Sequence, residues 1–180
     1  MQYAIELYYD KKTEEQLYSL AKCVADAGLS TKFLEWKTRP HLTLACFNDV
    51  DEEKCIEQLK KFAQTHGKMP AYIASVGMFN DTKTIFASPI MTSSMYQIQR
   101  EIHDCLCDFD TRGWEWYLPD RWVPHCGIAL MKEDAEESYY KACDLVLREF
   151  EKINGKFASI GLVKISFPVK EIYVAELKGE

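Results

Sequence analysis

Nowhere in the 180 residues does an apolar run approach the ~18 residues that a bilayer-crossing helix needs, so no membrane association is expected. The opening stretch Met1-Gln2-Tyr3-Ala4-Ile5-Glu6 lacks both a basic region and an apolar signal core, and secretion is not expected either. An excess of positive charge is also missing: 22 basic residues stand against 28 acidic ones, a net charge of −6. Proteins that grip long polyanions draw most of their affinity from phosphate contacts and carry a basic surface to match. Long nucleic acids are therefore not expected as partners, whereas a small anionic ligand or a short nucleic-acid terminus in a local pocket is allowed. Seven cysteines, an odd number in no dense pattern, argue against a disulfide scaffold and for a reduced, cytoplasmic setting. What is present is ordinary for one globular domain: 47% hydrophobic and 28% charged residues, too apolar for a disordered chain.

Periodicity predicts a strand over 3–8, then a helix with Thr13-Glu14-Glu15-Gln16 as a capping box, Leu17, Leu20, Ala21 and Val24 on its apolar face and Gly28 at its end. A strand follows over 40–47 and a helix over 51–66, whose final His66 meets the C-terminal carbonyls. Strands over 69–79 and 83–90, joined at Asn80-Asp81, read as a hairpin. The order then begins again, with a helix over 93–109, a loop over 110–120, a strand over 122–131, a helix over 134–153, and strands over 157–167 and 170–177 with Pro168 in the turn between them.

This is an internal repeat. Pro40-His41-Leu42-Thr43-Leu44-Ala45 matches Pro124-His125-Cys126-Gly127-Ile128-Ala129, 84 residues on. Gly67-Lys68 matches Gly155-Lys156, Phe79 matches Phe167, and Lys83-Thr84-Ile85-Phe86 matches Lys170-Glu171-Ile172-Tyr173. The expected fold is α+β: a single bilobal domain over 1–180, with similar βαβαβ-type lobes of about 1–91 and 92–180 related by pseudo-two-fold symmetry.

Within a strand, residues two apart share a face. Alternation puts His41, Thr43 and Ala45 on one face of their strand and Leu42, Leu44 and Cys46 on the core face. It puts His125, Gly127 and Ala129 together, opposite Cys126, Ile128 and Leu130. Each half thus presents an imidazole with only small neighbours. If symmetry brings the strands together, two imidazoles face one groove. Imidazole titrates near pH 6.5, so one ring can take a proton from an attacking oxygen while the other gives one to a departing oxygen. Phosphodiester cleavage needs both transfers and, by this scheme, neither metal nor cofactor. The Thr43 hydroxyl can donate to a phosphoryl oxygen.

These two motifs resemble those of the 2H phosphoesterase superfamily, whose best-known branch is named for 2′-5′ RNA ligase and cyclic phosphodiesterase activity. Pro40-His41-Leu42-Thr43-Leu44 is similar to its first His-x-Thr motif and Pro124-His125-Cys126-Gly127 to its second. The resemblance implies a groove between two lobes and metal-independent hydrolysis of 2′,3′-cyclic phosphates or 2′-5′ phosphodiesters on a small nucleotide or short RNA end. It implies His41 and His125 as the acid/base pair and Thr43 as a phosphate contact. Gly127 departs from the pattern, which has Thr or Ser there, and removes a hydroxyl donor. Its amide or a water can substitute, because glycine permits close approach. The departure also opens an alternative, a catalytically weakened nucleotide-binding module of the same fold; a third reading makes the domain an interaction scaffold.

Residues beside the motifs complete the expected site. Trp36 and Trp122 could stack on a base, and Lys37, Arg39 and Arg121 could draw in a phosphate. Trp114, Trp116 and Tyr117 sit in a loop that could cap the groove. His103-x-Cys105-x-Cys107 falls on a helix where only the outer pair shares a face, so no metal site is expected. A monomer is expected.

Overall fold

The computed structural model describes residues 2–106, 113–132 and 135–179. Seven strands form one sheet: β1 (Tyr3–Tyr9), β2 (His41–Phe47), β3 (Met69–Phe79), β4 (Thr84–Pro89), β5 (Cys126–Leu130), β6 (Ile153–Lys164) and β7 (Lys170–Glu176). Among the described residues five α-helices accompany them: α1 (Lys11–Asp26), the short α2 (Lys32–Glu35), α3 (Glu52–Thr65), α4 (Ser93–Cys105) and α5 (Glu136–Glu149). Among the described residues no helix is long and apolar enough to cross a membrane.

The strand order is β2-β1-β6-β3-β4-β5, with β7 also paired to β6, and every named pairing is antiparallel. The long β6 joins the two parts. Its first residues, from Ile153 to Phe157, pair with β3, and the stretch from Phe157 to Lys164 pairs with β1. Strands are therefore exchanged between the two halves of the repeat: β3 joins the β4-β5 side and β6 continues the β1-β2 side. The edge strands β2 and β5 also contact each other, so the curved sheet brings the two histidine motifs to one place.

Several boundaries differ from the periodicity. The N-cap of α1 is Asp10, not Thr13: its carboxylate accepts from the Thr13 backbone N–H at 3.1 Å and from the Lys156 amide at 2.7 Å. Asp10 outcompetes the capping box because it satisfies an orphan amide of the helix and an amide of β6 at once. Gly28 follows the C-cap in the left-handed region, φ +71°, as a helix stop favours. The segment 122–125 is not strand; β5 starts at Cys126, so His125 stands just ahead of it. Residues 107–109 of the helix expected over 93–109 and 110–112 of the loop lie outside the described residues, as does Cys107.

The two faces of β2 also differ from simple alternation. Ile5 pairs with Ala45 but Glu6 pairs with Thr43, so Leu44 is an extra residue, a β-bulge. The bulge reverses the phase: Ala45 joins Leu42, Leu44 and Phe47 in the core, while Cys46 moves to the opposite face with Ala4 and Tyr8. The same happens in β5, where Ile85 pairs with Ala129 and Phe86 with Gly127, leaving Ile128 extra. Ala129 accordingly packs in the core beside Cys126 and Ile128. The expectation that Ala45 and Ala129 line the histidine face is thus corrected by two bulges at matching places in the repeat.

Candidate functional site

The central strand β1 is buried along its whole length. Tyr3, Ile5, Leu7 and Tyr9 face the helices; Ala4 and Tyr8 face the other way, with Glu6 between them. On that second face, β2 contributes His41 and Thr43. Gly161 pairs with Glu6 and leaves room for Tyr8, whose ring carbon would stand 2.7 Å from a Cβ at that position. Gly77 does the same for Phe86, at 2.3 Å. These small residues let aromatic rings lie flat on the sheet and form the floor of the site.

The two histidines are held in the same way. His41 Nδ1 lies 2.7 Å from the carbonyl of Arg39, and His125 Nδ1 lies 2.7 Å from the carbonyl of Val123. A carbonyl only accepts, so Nδ1 carries hydrogen in both rings and Nε2 is the nitrogen left to give or take a proton. In each case the carbonyl belongs to the residue two positions earlier, across the proline of the motif.

Trp122 and Tyr117 tie the two motifs together. The Trp122 indole N–H donates to the Thr43 carbonyl at 2.9 Å. The Tyr117 hydroxyl interacts with the Thr43 side chain, and its ring lies 6.2 Å from that of His125. Tyr117 is placed by α4: Gln99 Nε2 and His103 Nε2 reach its carbonyl at 2.6 and 2.8 Å, and both also reach the carbonyl of the bulged Leu44 at 3.2 Å. His103 therefore braces the bulge and the loop together. Burial lowers its pKa below the usual imidazole value, consistent with a neutral ring donating from Nε2.

The surroundings of the two imidazoles differ. His41 Nε2 lies 3.4 Å from the carboxylate of Glu6, which is only 6% exposed. Burial raises the Glu6 pKa, opposed by His41, Tyr8 and Arg39. His125 sits among aromatic rings, with Phe79 at 5.0 Å and Phe86 at 5.5 Å between centroids. Burial and the charge of His41 push its pKa down, against the pull of the Val123 carbonyl. These surroundings favour the neutral ring.

The flanking residues divide. Trp122 is buried, 6% exposed, and serves as a strut; the expectation that it stacks on a base does not fit that burial. Trp36 is half-buried, 4.3 Å from Phe167 and edge-on to Phe33. Arg39 is bound to Glu14 at 2.7 Å and to Glu171 at 3.7 Å, and lies 4.1 Å over the Tyr8 ring. Its charge is already shared between two carboxylates. Lys37 and Arg39 line a cavity of about 320 Å³ that reaches Glu6 and Tyr8. Arg121 is paired with Glu115 and lies over Trp116.

Gly127 has a specific reason. A Cβ there would lie 2.4 Å from Cζ of Phe33, on α2. The segment carrying Phe33 is strapped to β5, with the Ser30 hydroxyl donating to the Leu130 carbonyl at 2.8 Å and Lys32 Nζ to the Met131 carbonyl at 3.2 Å. In the second half of the repeat, a phenyl ring lies over the +2 residue that bears a hydroxyl in the first.

Comparison with known proteins supplies the family and agrees with the fold. The family model of the 2′-5′ RNA ligase superfamily matches residues 14–175. The chain belongs to this superfamily, one of the 2H phosphoesterases. No curated protein sequence matches it. Similar solved structures include TT0787 of Thermus thermophilus, 15% identical with a TM-score of 0.64 over 100% of both chains. Escherichia coli LigT complexed with 3′-AMP is 13% identical, with a TM-score of 0.59 over 99% of this chain and 98% of that one. At these identities the likeness is one of fold, which for this superfamily member is α+β.

Glu6, Gln99 and Phe33 went unread in the sequence as parts of the site, and Tyr117 was read only as part of a capping loop. Only Glu6 carries a signal that could have shown it: a lone acid inside the apolar strand Tyr3-Ala4-Ile5-Glu6-Leu7-Tyr8-Tyr9, where an unpaired charge would be costly.

Proposed function

We propose that this superfamily member is a metal-independent phosphodiesterase that hydrolyses a 2′,3′-cyclic phosphate or 2′-5′ phosphodiester on a nucleotide or short RNA end. The observation that carries the reading is the matched pair of imidazoles, each with Nδ1 fixed on the carbonyl two residues back, leaving Nε2 of both to the reaction. One Nε2 removes a proton from water as the water oxygen bonds to phosphorus. The phosphorus–oxygen bond to the ribose breaks, and that oxygen takes a proton from the other ring. The product is a phosphomonoester beside a free hydroxyl, and the two rings exchange protons with solvent to reset. Thr43, 7% exposed, donates to a phosphoryl oxygen as its charge grows.

Substrate size follows from charge. The chain is net acidic and Arg39 is already paired, so the field favours one phosphate on a small ligand over a long backbone. A reduced cytoplasmic setting fits the thiols of Cys23, Cys46, Cys55, Cys126 and Cys143, which form no disulfide among the described residues.

The test is hydrolysis of 2′,3′-cyclic nucleotides and 2′-5′ oligonucleotides with EDTA present. Activity should persist in the chelator. Thr43→Val should lower kcat/KM by roughly 10–100-fold, the loss of one hydrogen bond to a charged group at about 1.5–3 kcal/mol. An unchanged rate would remove Thr43 from the mechanism.

Phe33 over Gly127 favours a second reading, a binding module with little turnover. Calorimetric binding of a nucleotide without product after a day of incubation would select it.

A further inference from the structure

We propose that the cavity beside His41 binds a ribose through its free 2′ and 3′ hydroxyls, so that a 2′-5′ diester is preferred over a 2′,3′-cyclic phosphate; this rests on the phosphodiesterase reading and chooses between its two substrate classes. The cavity of about 320 Å³ is walled by Glu6 and Tyr8 of β1, Val169, Glu171 of β7 and the segment 37–39. Its volume is at the low end of pockets that hold small ligands. Glu6 on its wall stands 3.4 Å from His41 Nε2, so a group esterified to a phosphate at that nitrogen has the cavity within reach.

The other half of the repeat is built differently. Pairing sets Glu6 of β1 opposite Thr43 and Phe86 of β4 opposite Gly127. Where one half puts a carboxylate, the other puts a phenyl ring, and Phe79 and Phe86 lie 5.0 and 5.5 Å from His125. A polar part of the substrate therefore belongs on the His41 side.

The wall offers hydroxyls and hydrogen-bond acceptors. The Tyr8 hydroxyl interacts with Glu6 without completing a hydrogen bond, and the buried Thr38 hydroxyl has no partner. Buried polar groups are normally satisfied, and orphans on a cavity wall point to a ligand that supplies the missing partners. The carboxylates of Glu6 and Glu171 suit hydroxyl donors, as acidic side chains do for the ribose hydroxyls of dinucleotides. A second phosphate is disfavoured, because the Arg39 guanidinium is divided between Glu14 and Glu171. A base finds no open ring to stack on, because Arg39 covers the Tyr8 ring at 4.1 Å. Lys37 holds the left-handed backbone conformation, φ +54°, just after the C-cap Trp36, where glycine is usual. Retaining a side chain at such a strained position fits a role for it on the wall.

The two substrate classes differ in what they can place here. A 2′,3′-cyclic phosphate spends both vicinal oxygens of its ribose on phosphorus. A 2′-5′ diester carries a second nucleoside, joined through its 5′ oxygen, whose 2′ and 3′ hydroxyls are free at a chain end. Only the diester brings a diol to the acceptors.

Two measurements test the proposal. The first needs no turnover: calorimetric titration with adenosine 5′-monophosphate and with its 2′,3′-dideoxy analogue. The analogue should bind roughly 10–100-fold more weakly, the loss of two hydrogen bonds of ordinary strength. Glu6→Gln should shrink that ratio at least threefold by weakening the first ligand, with the dideoxy analogue within twofold of its parent affinity. Equal binding of the two compounds, binding of neither, or a variant that weakens both alike overturns the proposal. So does a larger loss on replacing adenine by uracil than on removing the diol, which would give the cavity to the base. The second compares adenylyl-(2′→5′)-adenosine, the same dinucleotide with 2′,3′-dideoxyadenosine at its 5′-linked end, and adenosine 2′,3′-cyclic phosphate. Loss of the diol should lower kcat/KM by roughly 10–100-fold. Glu171→Gln should raise KM for the intact dinucleotide at least threefold and leave that for the cyclic phosphate within twofold. A cyclic phosphate with kcat/KM equal to or above that of the dinucleotide overturns the preference. Absence of turnover on every substrate would instead refute the phosphodiesterase reading, and the titrations would still decide what the cavity holds.

Discussion

His125→Ala and His41→Ala should each lower kcat/KM for a 2′,3′-cyclic nucleotide by roughly 10²–10⁴-fold, the range one positioned acid or base contributes. The double variant should be little worse than the poorer single one, because groups that act in one transition state lose their effect together. Folding should be nearly unaffected by His125→Ala, since that ring is half-buried and its one polar bond runs to the nearby Val123 carbonyl. His41→Ala is a harsher change, as it leaves Glu6 buried without its partner; a lower Tm is expected there. The pH profile carries a sign. The His125 pKa lies below the ordinary 6.5, so the limb of the bell-shaped rate profile that reports this ring should fall below pH 6.5. A profile with no limb below 6.5, or activity within tenfold of the parent in the double variant, would remove the pair from the chemistry.

Gly127→Thr should destabilise the protein, even though it restores the residue type of the superfamily motif. The new Cβ would sit 2.4 Å from Phe33 Cζ, and the segment that carries Phe33 is bonded to β5. Overpacking of this kind costs about 1–3 kcal/mol, or a Tm lower by roughly 2–12 °C for a domain of this size. Phe33→Ala in the same chain should relieve the clash. The two changes should be coupled by about 1 kcal/mol or more in a double-mutant cycle of stability. The paired variant should also turn over faster than Phe33→Ala alone, because a second hydroxyl then meets the phosphate. Additive stabilities would show that Phe33 yields freely and that Gly127 has another cause.

These expectations show where sequence reading was strong. The repeat was visible because both His motifs, their prolines and their hairpins keep their order. The β3 boundaries follow directly from the alternating pattern, and β1 was read to within one residue. The failures are local and have physical causes. The capping box lost to Asp10, whose carboxylate also meets an amide brought from residue 156 by the fold. Ala45 and Ala129 changed face because strict alternation fails at a bulge, and a bulge leaves no residue signature when the extra residue is a core Leu or Ile. Trp122 looked like a stacking residue beside its motif, but the indole N–H has its acceptor on the other motif, 79 residues away.

By itself the sequence determined the fold class and displayed the two matching His motifs, because both depend on spacing along the chain, and spacing is what strands and helices convert into faces. Only the tertiary structure decided how unlike the two halves of the site are. Glu6 beside His41, Phe86 beside His125 and Phe33 over Gly127 are neighbours across strands and helices, not along them. Burial then acts on those neighbours in opposite senses: it raises the pKa of the Glu6 carboxylate and lowers that of the His125 imidazole among its phenyl rings.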